Sequence, residues 1–413
     1  MTELVSVDAH RARILDVVRP LPAETVGVTG ASGRTLARDA IAALDIPAFD
    51  NSAMDGFAVR FTDVAGASAS DPVELAVSGD VAAGSAALGD VTAGTTHRIM
   101  TGAPVPHGAD TIVPFEHTSG GLADSLSTAI VRETPKAAGA HIRRRAEDLA
   151  RGDTVLPAGS PLGALQISAL LAAGVTEVSV TRAPRVVVVS TGAELSAPGE
   201  VPGAGQIPDS NSTLIAELVR GAGGELVLRT NVGDDPAELV HLLERYDDAD
   251  AIITSGGVSA GAYEPVKQAL EGRIRFSKIA MQPGKPQGFG VLDGGALFFG
   301  LPGNPVSVAA SFEAFVRPAL LAMQARVHID RPLLRLPSAA AWRTPPERRQ
   351  YVPIVVDRAD PATWRVRPAT TGGSGSHLVG GLGLAEGFAV VPAEVDEVAA
   401  GDLVDVVLLS PPF

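Results

Sequence analysis

The chain has 413 residues, too many for a single hydrophobic core, so it should divide into several domains. Its formal charge of −14 argues against binding to nucleic acid or to an anionic lipid surface, although a local positive patch can still hold a small anion. The absence of cysteine excludes disulfides, thiolate metal sites and cysteine nucleophiles.

The N-terminal stretch carries early acidic residues and no apolar core, so we expect no signal peptide and a cytoplasmic protein. Residues 6–18 place apolar side chains at helical spacing and predict a first helix. From about 46 to 143, short apolar strings separated by Gly, Pro and Ser predict a small β domain. Residues 161–180 predict a buried helix followed by a strand, because polar residues interrupt what would otherwise be a membrane span.

Strand and helix patterns alternate from 184 to 326, which predicts a doubly wound, mainly parallel α/β domain. Residues 185–190 form a continuous apolar run, typical of a parallel strand covered on both faces. Asn211 or Ser210 is positioned to cap the next helix, and Asp235 to cap the one after it. Beyond residue 326, short strands joined by glycine-rich turns predict a separate small barrel or sandwich.

The most distinctive stretch, 250–261, predicts a buried strand that opens into a glycine-rich loop. Its glycine and hydroxyl residues are Thr254, Ser255, Gly256, Gly257, Ser259 and Gly261. Ligands of open α/β sheets bind at the carboxyl ends of strands, where glycines let backbone N–H groups face an anion. The dipeptide Ala262-Tyr263 stands where a nucleoside-triphosphate loop requires Lys-Ser/Thr, so this is not such a loop. A tight turn explains the loop alone equally well.

Acidic residues follow the strands of the α/β domain, on loops that should converge at one edge of the sheet. They are Glu194, Asp234, Asp235 and Glu264. Clustered carboxylates repel one another unless a cation lies between them, and Mg²⁺ shared with substrate phosphates suits them. Asp235 is better explained as a helix cap, and Glu264 can favour a helix dipole. Glu194 has no such structural explanation and is the strongest metal candidate.

Two proline-glycine segments, 282–286 and 300–307, frame the same edge. The second precedes a predicted helix, so its N–H groups form a natural anion site, and Lys278 and Lys285 can add positive charge. A rigid turn explains either segment alone, whereas the pair favours ligand binding. In the β domain, Asp55 interrupts an apolar run between Met54 and a glycine, and nothing local calls for an acid there.

Eight short motifs occur in order along nearly the whole chain: FDNSAMDGFAV, RIMTGAPVPHGAD, RRRAED, STGAEL, TSGGVSAG, PGKP, LPGNPVS and GSH. Together they closely resemble the molybdopterin molybdenumtransferase family, which comprises the MoeA proteins and the E domain of gephyrin. The resemblance implies a homodimer of four-domain subunits. Its domains would be a linking domain with the N-terminal helix (1–45 and 144–183), a small β domain (46–143), a molybdopterin-binding α/β domain (184–326) and a C-terminal β barrel (327–413).

The resemblance implies an enzyme that inserts molybdate into adenylylated molybdopterin with Mg²⁺-dependent release of AMP. Catalytic roles fall to Asp55, Thr101, Asp148, Lys278 and Lys285, and Mg²⁺ ligation to Glu194, Asp234 and Glu264. The residues assigned to the pterin substrate are Ser255, Gly256, Gly257, Ser259, Gly261, Pro302, Gly303, Asn304, Pro305, Arg348 and Ser376. In this family the cleft lies between the α/β domain of one subunit and the β domain of the other.

Expected partners are the anionic pterin and a second copy of the chain, with a molybdopterin adenylyltransferase or an acceptor molybdoenzyme as candidate protein partners; no nucleic acid or membrane is expected. Four positions depart from the family pattern: Glu264 for Asp, Gln282 for Lys, Ala146 for Gly, and Pro353 near a usual Arg.

Two other functions stay open. One is adenylylation of molybdopterin, which would leave the β-domain residues without a purpose. The other is a specialised paralogue or scaffold that binds the pterin or a partner protein without turnover.

Overall fold

The computed structural model of the protein describes residues 4–85, 89–121, 126–197, 199–259, 264–360, 362–370, 375 and 378–409. Its α-helices are Val7–Val17, Phe61–Val64, Ala164–Ala172, Asn211–Gly221, Pro236–Arg245, Pro265–Leu270 and Pro305–Met323. The last of these contains a π-helical turn at Phe312–Val316. The predicted helix followed by a strand within 161–180 is confirmed, the strand being Glu177–Thr181.

A six-stranded sheet forms the α/β domain. In spatial order its strands are Glu225–Val232, Arg185–Thr191, Ala251–Ser255, Leu297–Leu301, Pro286–Val291 and Arg275–Lys278. The first four strands are parallel, whereas the last two pair antiparallel. The predicted mainly parallel α/β fold is therefore confirmed, although the strand at Pro286–Val291 was missed because its Gly and Pro residues disfavour strand structure.

The strand Arg185–Thr191 is buried on both faces, as its apolar run predicts. Val186 and Val188 pack into a cluster that contains Phe315 of the helix Pro305–Met323, whereas Val187 and Val189 pack on the other face. Full burial of one such side chain stabilises the fold by about 1.5 kcal/mol or more. With helices covering both faces, ligands are left the loops at the ends of the strands.

The first helix, Val7–Val17, packs on the α/β domain. Ser6 caps it, because the Ser6 hydroxyl accepts a hydrogen bond from the N–H of Ala9 at 3.1 Å. Val7 and Ile14 are buried in the same cluster as Phe315. The chain just before the helix also joins this domain through a bridge between Val5 and Ile279. The domain boundaries stay predictions.

One helix, Pro305–Met323, is long and apolar enough to cross a membrane by length and composition, with a mean hydropathy of 1.4. Inside the protein, 83% of that segment is buried. It packs against the first helix and the sheet, which is the arrangement of a core helix in a globular domain.

The chain forms further sheets outside the α/β domain. The small β domain has the strand order Thr111–Pro114, Gly56–Val59, Thr95–Ile99, Val73–Val81, Thr128–Val131 and Thr118–Ser119. The C-terminal sheet has the order Met281–Gln282, Arg349–Asp357, Gly387–Val391, Leu403–Leu408 and Leu333–Pro337, with Arg365–Pro368 paired to Arg349–Asp357. Shorter pairs are Ala23–Gly27 with Glu177–Thr181, Ala40–Ile41 with Thr154–Leu156, Asn51–Ser52 with Ile142–Arg143, Leu195–Ser196 with Ile207–Pro208, and Trp342–Arg343 with Glu397–Val398.

Candidate functional site

A cleft of about 920 Å³ lies where the parallel strands of the α/β domain end. The site residues predicted from the sequence that line it are Glu194, Asp234, Ser255, Gly256, Gly257, Ser259, Glu264, Lys285, Pro302, Gly303, Asn304 and Pro305. The glycine loop, the cleft acids and both proline-glycine segments therefore face one volume, as expected for loops at one edge of an open α/β sheet.

Two glycines of the loop are required by its geometry. Gly256 and Gly257 have φ values of +92° and +67°, in the left-handed region that other residues rarely adopt. A side chain on Gly256 would also come within 2.9 Å of the carbonyl oxygen of Thr191. The turn at Gly303 adjoins this loop, because a Cβ atom built on Gly303 would lie 3.6 Å from the Cα of Gly256. Two stretches of bare backbone thus face the cleft together.

A buried carboxylate that the sequence analysis missed lies in the cleft wall. Asp209 is 4% exposed, and its Oδ1 accepts hydrogen bonds from the Ser190 hydroxyl at 2.8 Å and from the Ser212 N–H at 3.0 Å. Ser210 is the N-cap residue of the helix that begins at Asn211, as one of the two expected candidates, but its side chain makes no capping hydrogen bond. Asp209 supplies that bond instead, through the N–H of Ser212. The sequence signal for Asp209 was the polar run 209–211, which had been explained by capping from Ser210 or Asn211.

Hydrogen bonds from neighbouring residues tie the loops of the cleft to each other. The Ser255 and Ser190 hydroxyls lie 3.1 Å apart, so Ser255 joins the buried network of Asp209. The Asn211 amide donates to the carbonyl of Gly303 at 2.6 Å, which links the start of its helix to the proline-glycine turn. These contacts fix the backbone that a ligand would meet.

The three predicted metal ligands differ in their partners. Glu194 is exposed, and within the described part of the chain its carboxylate has no hydrogen-bond donor. Asp234 is also exposed and accepts one long hydrogen bond, of 3.4 Å, from the N–H of Ala193. Glu264 is buried and accepts from the N–H of Ser259 at 2.8 Å. Glu194 is thus the most available of the three.

These carboxylates do not form a ready-made metal site. In the ranges described above, no three Asp, Glu or His side chains converge closely enough to hold an ion. Asp235 caps its helix by accepting from the N–H of Ala237 at 2.9 Å, as predicted. Mg²⁺ commonly binds one or two carboxylates and completes its shell with water and substrate phosphates. The acids present suit that shared mode of binding.

Lys285 supplies positive charge to the cleft, and the turn that carries it is attached to the helix Pro305–Met323. The buried Gln287 amide donates to the carbonyl of Gly284 and to the hydroxyl of Ser311, both at 2.7 Å, which holds the segment that carries Lys285. Arg348 reaches the cleft indirectly, because its guanidinium donates to the Gln282 side-chain oxygen at 3.2 Å. The lysine usual in the family at position 282 would add a positive charge to the cleft. Gln282 instead gives Arg348 a neutral hydrogen-bond acceptor.

The catalytic residues predicted in the β domain lie apart from this cleft. Asp55 and Thr101 contact each other, since the Asp55 carboxylate accepts from the N–H of Thr101 at 2.6 Å. Hydrogen bonds from Thr101 lower the pKa of Asp55. The expectation that nothing local calls for an acid at 55 was therefore wrong. Asp148 is exposed on a loop, and its N–H donates to the Ile46 carbonyl at 3.0 Å.

Lys278 lines a neighbouring cavity rather than the cleft. Gly261 and Ser376 lie outside the described residues. Ala146 has a φ of +60°, the conformation that favours the glycine usual at its position in the family. Pro353 pairs with Phe388 within the C-terminal sheet.

Three family models match the chain in succession. They are the MoeA N-terminal region (domain I and II) over residues 5–174, the probable molybdopterin binding domain over 187–322, and the MoeA C-terminal region (domain IV) over 335–409.

Full-length relatives agree with these matches. Molybdopterin molybdenumtransferase 2 of Mycobacterium tuberculosis is 42% identical over 405 residues, which is 96% of this chain and 97% of the relative. Molybdopterin molybdenumtransferase 1 of the same organism is 32% identical over 98% of this chain and 99% of its own length. The crystal structure of a molybdopterin biosynthesis moeA protein from Pyrococcus horikoshii superimposes with a TM-score of 0.83 at 27% identity, covering 98% of this chain and 100% of that one. This chain belongs to the molybdopterin molybdenumtransferase (MoeA) family.

Proposed function

We propose that this protein is a molybdopterin molybdenumtransferase that inserts molybdate into adenylylated molybdopterin, with Mg²⁺-dependent release of AMP. Membership of the family places the chain in molybdenum cofactor biosynthesis. The observation that carries the proposal is the single cleft in which the glycine loop, the cleft acids and Lys285 face one another. It suits an anionic substrate whose charge is shared between protein donors and a cation.

The backbone of the cleft supports binding of the substrate phosphates. The loop at Gly256 and Gly257 presents bare main chain, and the long helix begins at Pro305 on the same cleft. Helix N-termini and glycine-rich nests bind anions, because unpaired N–H groups and the helix dipole favour negative charge. Half-buried Lys285 adds a full positive charge beside them.

Glu194, Asp234 and Glu264 would hold Mg²⁺ together with the substrate. Bound Mg²⁺ neutralises negative charge that develops on a leaving phosphate. Among the described residues Glu194 has no hydrogen-bond donor to lose on binding, and Asp234 has one long bond to lose. We expect Glu264 to act while held by Ser259, whose N–H fixes one of its oxygens.

The β-domain residues require a second subunit under this proposal. Asp55 and Thr101 are exposed and do not line the cleft of their own chain. In a homodimer they would complete the cleft of the partner, together with Asp148, and position the pterin or transfer a proton. We expect a cytoplasmic homodimer that receives its substrate from a molybdopterin adenylyltransferase and delivers the product to acceptor molybdoenzymes.

The test is release of AMP from adenylylated molybdopterin, with and without Mg²⁺, in the presence of molybdate or tungstate. We expect release that requires both Mg²⁺ and an oxyanion. Binding of the adenylylated pterin without oxyanion-dependent release would contradict turnover and favour the scaffold. Consumption of ATP with free molybdopterin would instead favour an adenylyltransferase.

A further inference from the structure

A second cavity, of about 420 Å³, lies beside the cleft and shares part of its wall. The residues that line both are Val258, Ser259, Lys285 and Pro286. The residues that line the second cavity alone are Val5, Lys267, Arg275, Phe276, Ser277 and Lys278. Its wall is formed by the edge strand Arg275–Lys278 and by the chain before the first helix. We call this cavity the basic pocket.

The charge of the basic pocket is opposite to that of the protein. Its lining includes the four cations Lys267, Arg275, Lys278 and Lys285 and no acidic residue. Only four of the 33 basic residues of the chain are lysines, and three of those four line this pocket. In a chain with a formal charge of −14, such a concentration of lysine points to a ligand.

Among the residues that the structure describes, the four pocket cations form no ion pair. Every ion pair in the described part of the chain is made by arginine or histidine, and none by lysine or by Arg275. Lys267 and Lys285 are half-buried, whereas Arg275 and Lys278 are exposed, so water and salt screen part of the repulsion among the four cations. A bound anion would remove the remainder. Lysine suits this role because its ammonium is a compact point charge that binds phosphate without the fixed planar geometry of arginine.

Backbone hydrogen bonds hold the three lysines on separate elements that converge at the pocket. The Lys267 N–H donates to the carbonyl of Gly257 at 3.0 Å, which couples it to the glycine loop. The Lys278 carbonyl accepts from the N–H of Val5 at 2.9 Å, and the Lys285 carbonyl accepts from the N–H of Ile279 at 2.7 Å. The cluster is therefore built by tertiary structure and not by one run of sequence.

We propose that the basic pocket is a second anion subsite, which binds a tetrahedral oxyanion of the phosphate class beside the acidic cleft. Lys267 and Arg275 are the residues that it adds to those already assigned to the reaction. The acids of the cleft repel an anion that carries no metal, whereas this pocket attracts one. The anion is either a phosphate group of the pterin substrate or a free oxyanion such as molybdate. This choice of ligand rests on the proposed function, but the capacity to bind an anion does not.

The first experiment measures binding of inorganic phosphate and of molybdate by calorimetry. Variants are the double substitution Lys267→Gln with Arg275→Gln and the control Arg273→Gln. Arg273 lies two residues from Arg275 but pairs with Asp293 at 2.8 Å outside the pocket. We expect the double variant to raise the Kd of at least one of these anions about tenfold, the scale of charge-assisted hydrogen bonds, and the control to leave it unchanged. No binding to the parent protein, or equal Kd values in the parent and the double variant, would overturn the subsite.

The second experiment separates the two sources of the anion by steady-state AMP release. A higher KM for adenylylated molybdopterin in the double variant identifies the substrate phosphate, whereas a higher KM for molybdate identifies the free oxyanion. Unchanged AMP release together with unchanged anion binding would reject the subsite while the proposed function stands. Anion binding that depends on Lys267 and Arg275 in a protein that releases no AMP would reject the proposed function while the subsite stands.

Discussion

The α/β domain and the small β domain use their acidic residues in different ways. Glu194 and Asp234 face the cleft. Among the described residues, the one hydrogen bond to either carboxylate is the long bond from the N–H of Ala193 to Asp234. In the β domain, Asp110 accepts from the N–H of Phe61 at 2.7 Å, and Asp55 accepts from Thr101 at 2.6 Å. Glu194 and Asp234 are available to bind a ligand, whereas within one chain Asp110 and Asp55 fix loops. A catalytic role for Asp55 therefore depends on what a second subunit brings to it.

The largest effect is expected from Glu194→Gln. This change keeps the size of the side chain and removes the charge that Mg²⁺ prefers, so AMP release should fall roughly a hundredfold or more while the fold is kept. The measurement is AMP release at saturating Mg²⁺, with the melting temperature as a check on folding. Activity within a few-fold of the parent would show that Glu194 is not a ligand.

In the small β domain, a comparable loss of activity is expected from Asp55→Asn. The asparagine oxygen can still accept from the Thr101 N–H, so the melting temperature should hardly change. Molybdate insertion should fall roughly a hundredfold, the scale of a lost acid–base group, while the adenylylated pterin still binds.

Asp110→Asn is the matched control for this variant. It makes the same chemical change at another β-domain acid that accepts a backbone N–H, and we expect nearly full activity. If Asp55→Asn melted several degrees lower and kept its specific activity, Asp55 would be a structural residue, and the difference between the two domains would hold within the dimer as well.

A smaller effect concerns His10, which joins the first helix to the α/β domain. His10 is 2% exposed, and its ring meets that of Phe315 edge-on with centroids 4.8 Å apart. Burial, and secondarily the charges of Arg13 and Arg275, lowers the pKa of His10 to about 4 from its usual 6.5. Between these values the unfolded chain binds a proton that the folded chain does not. The contribution of neutral His10 to the free energy of unfolding is therefore fully present above about pH 6.5 and is lost as the pH falls toward 4.

We expect this group to cost about 2 kcal/mol of unfolding free energy between roughly pH 7.5 and pH 5. The measurement is calorimetric melting at both pH values. His10→Leu should reduce the difference, whereas His241→Gln, at an exposed histidine, should leave it in place. An equal acid sensitivity in His10→Leu would show that protonation of His10 is not its cause.

Patterns local in sequence predicted much of the fold. The apolar run 185–190 predicted a strand buried on both faces, and Asp235 before a proline predicted a helix cap. The strand Pro286–Val291 was missed because its Pro and Gly residues disfavour strand structure, and only its tertiary neighbours show how closely it packs. Its Gly288, for example, lies against Phe276 of the edge strand.

The site was harder to predict wherever it depends on contacts between distant residues. The ordered motifs identified the cleft loops because each strand end carries its own signature. Asp209 bonds to Ser190, 19 positions away, and Asp55 bonds to Thr101, 46 positions away. The role of Asp209 was therefore missed and that of Asp55 misjudged. In the basic pocket, Lys278 and Lys285 were predicted to add positive charge, whereas Lys267 on its helix and Arg275 on the edge strand were missed because only the tertiary structure brings them there.

The central claim is that two subunits build each active site, and mixing two inactive variants tests it most directly. Asp55→Asn and Glu194→Gln subunits would be co-expressed and the mixed dimers assayed for AMP release. If the sites are shared, each mixed dimer has one cleft with both native residues, so random pairing restores about a quarter of the parent activity. If each chain forms its own site, every cleft contains one substitution and the mixture stays as inactive as the separate variants, which would contradict the account.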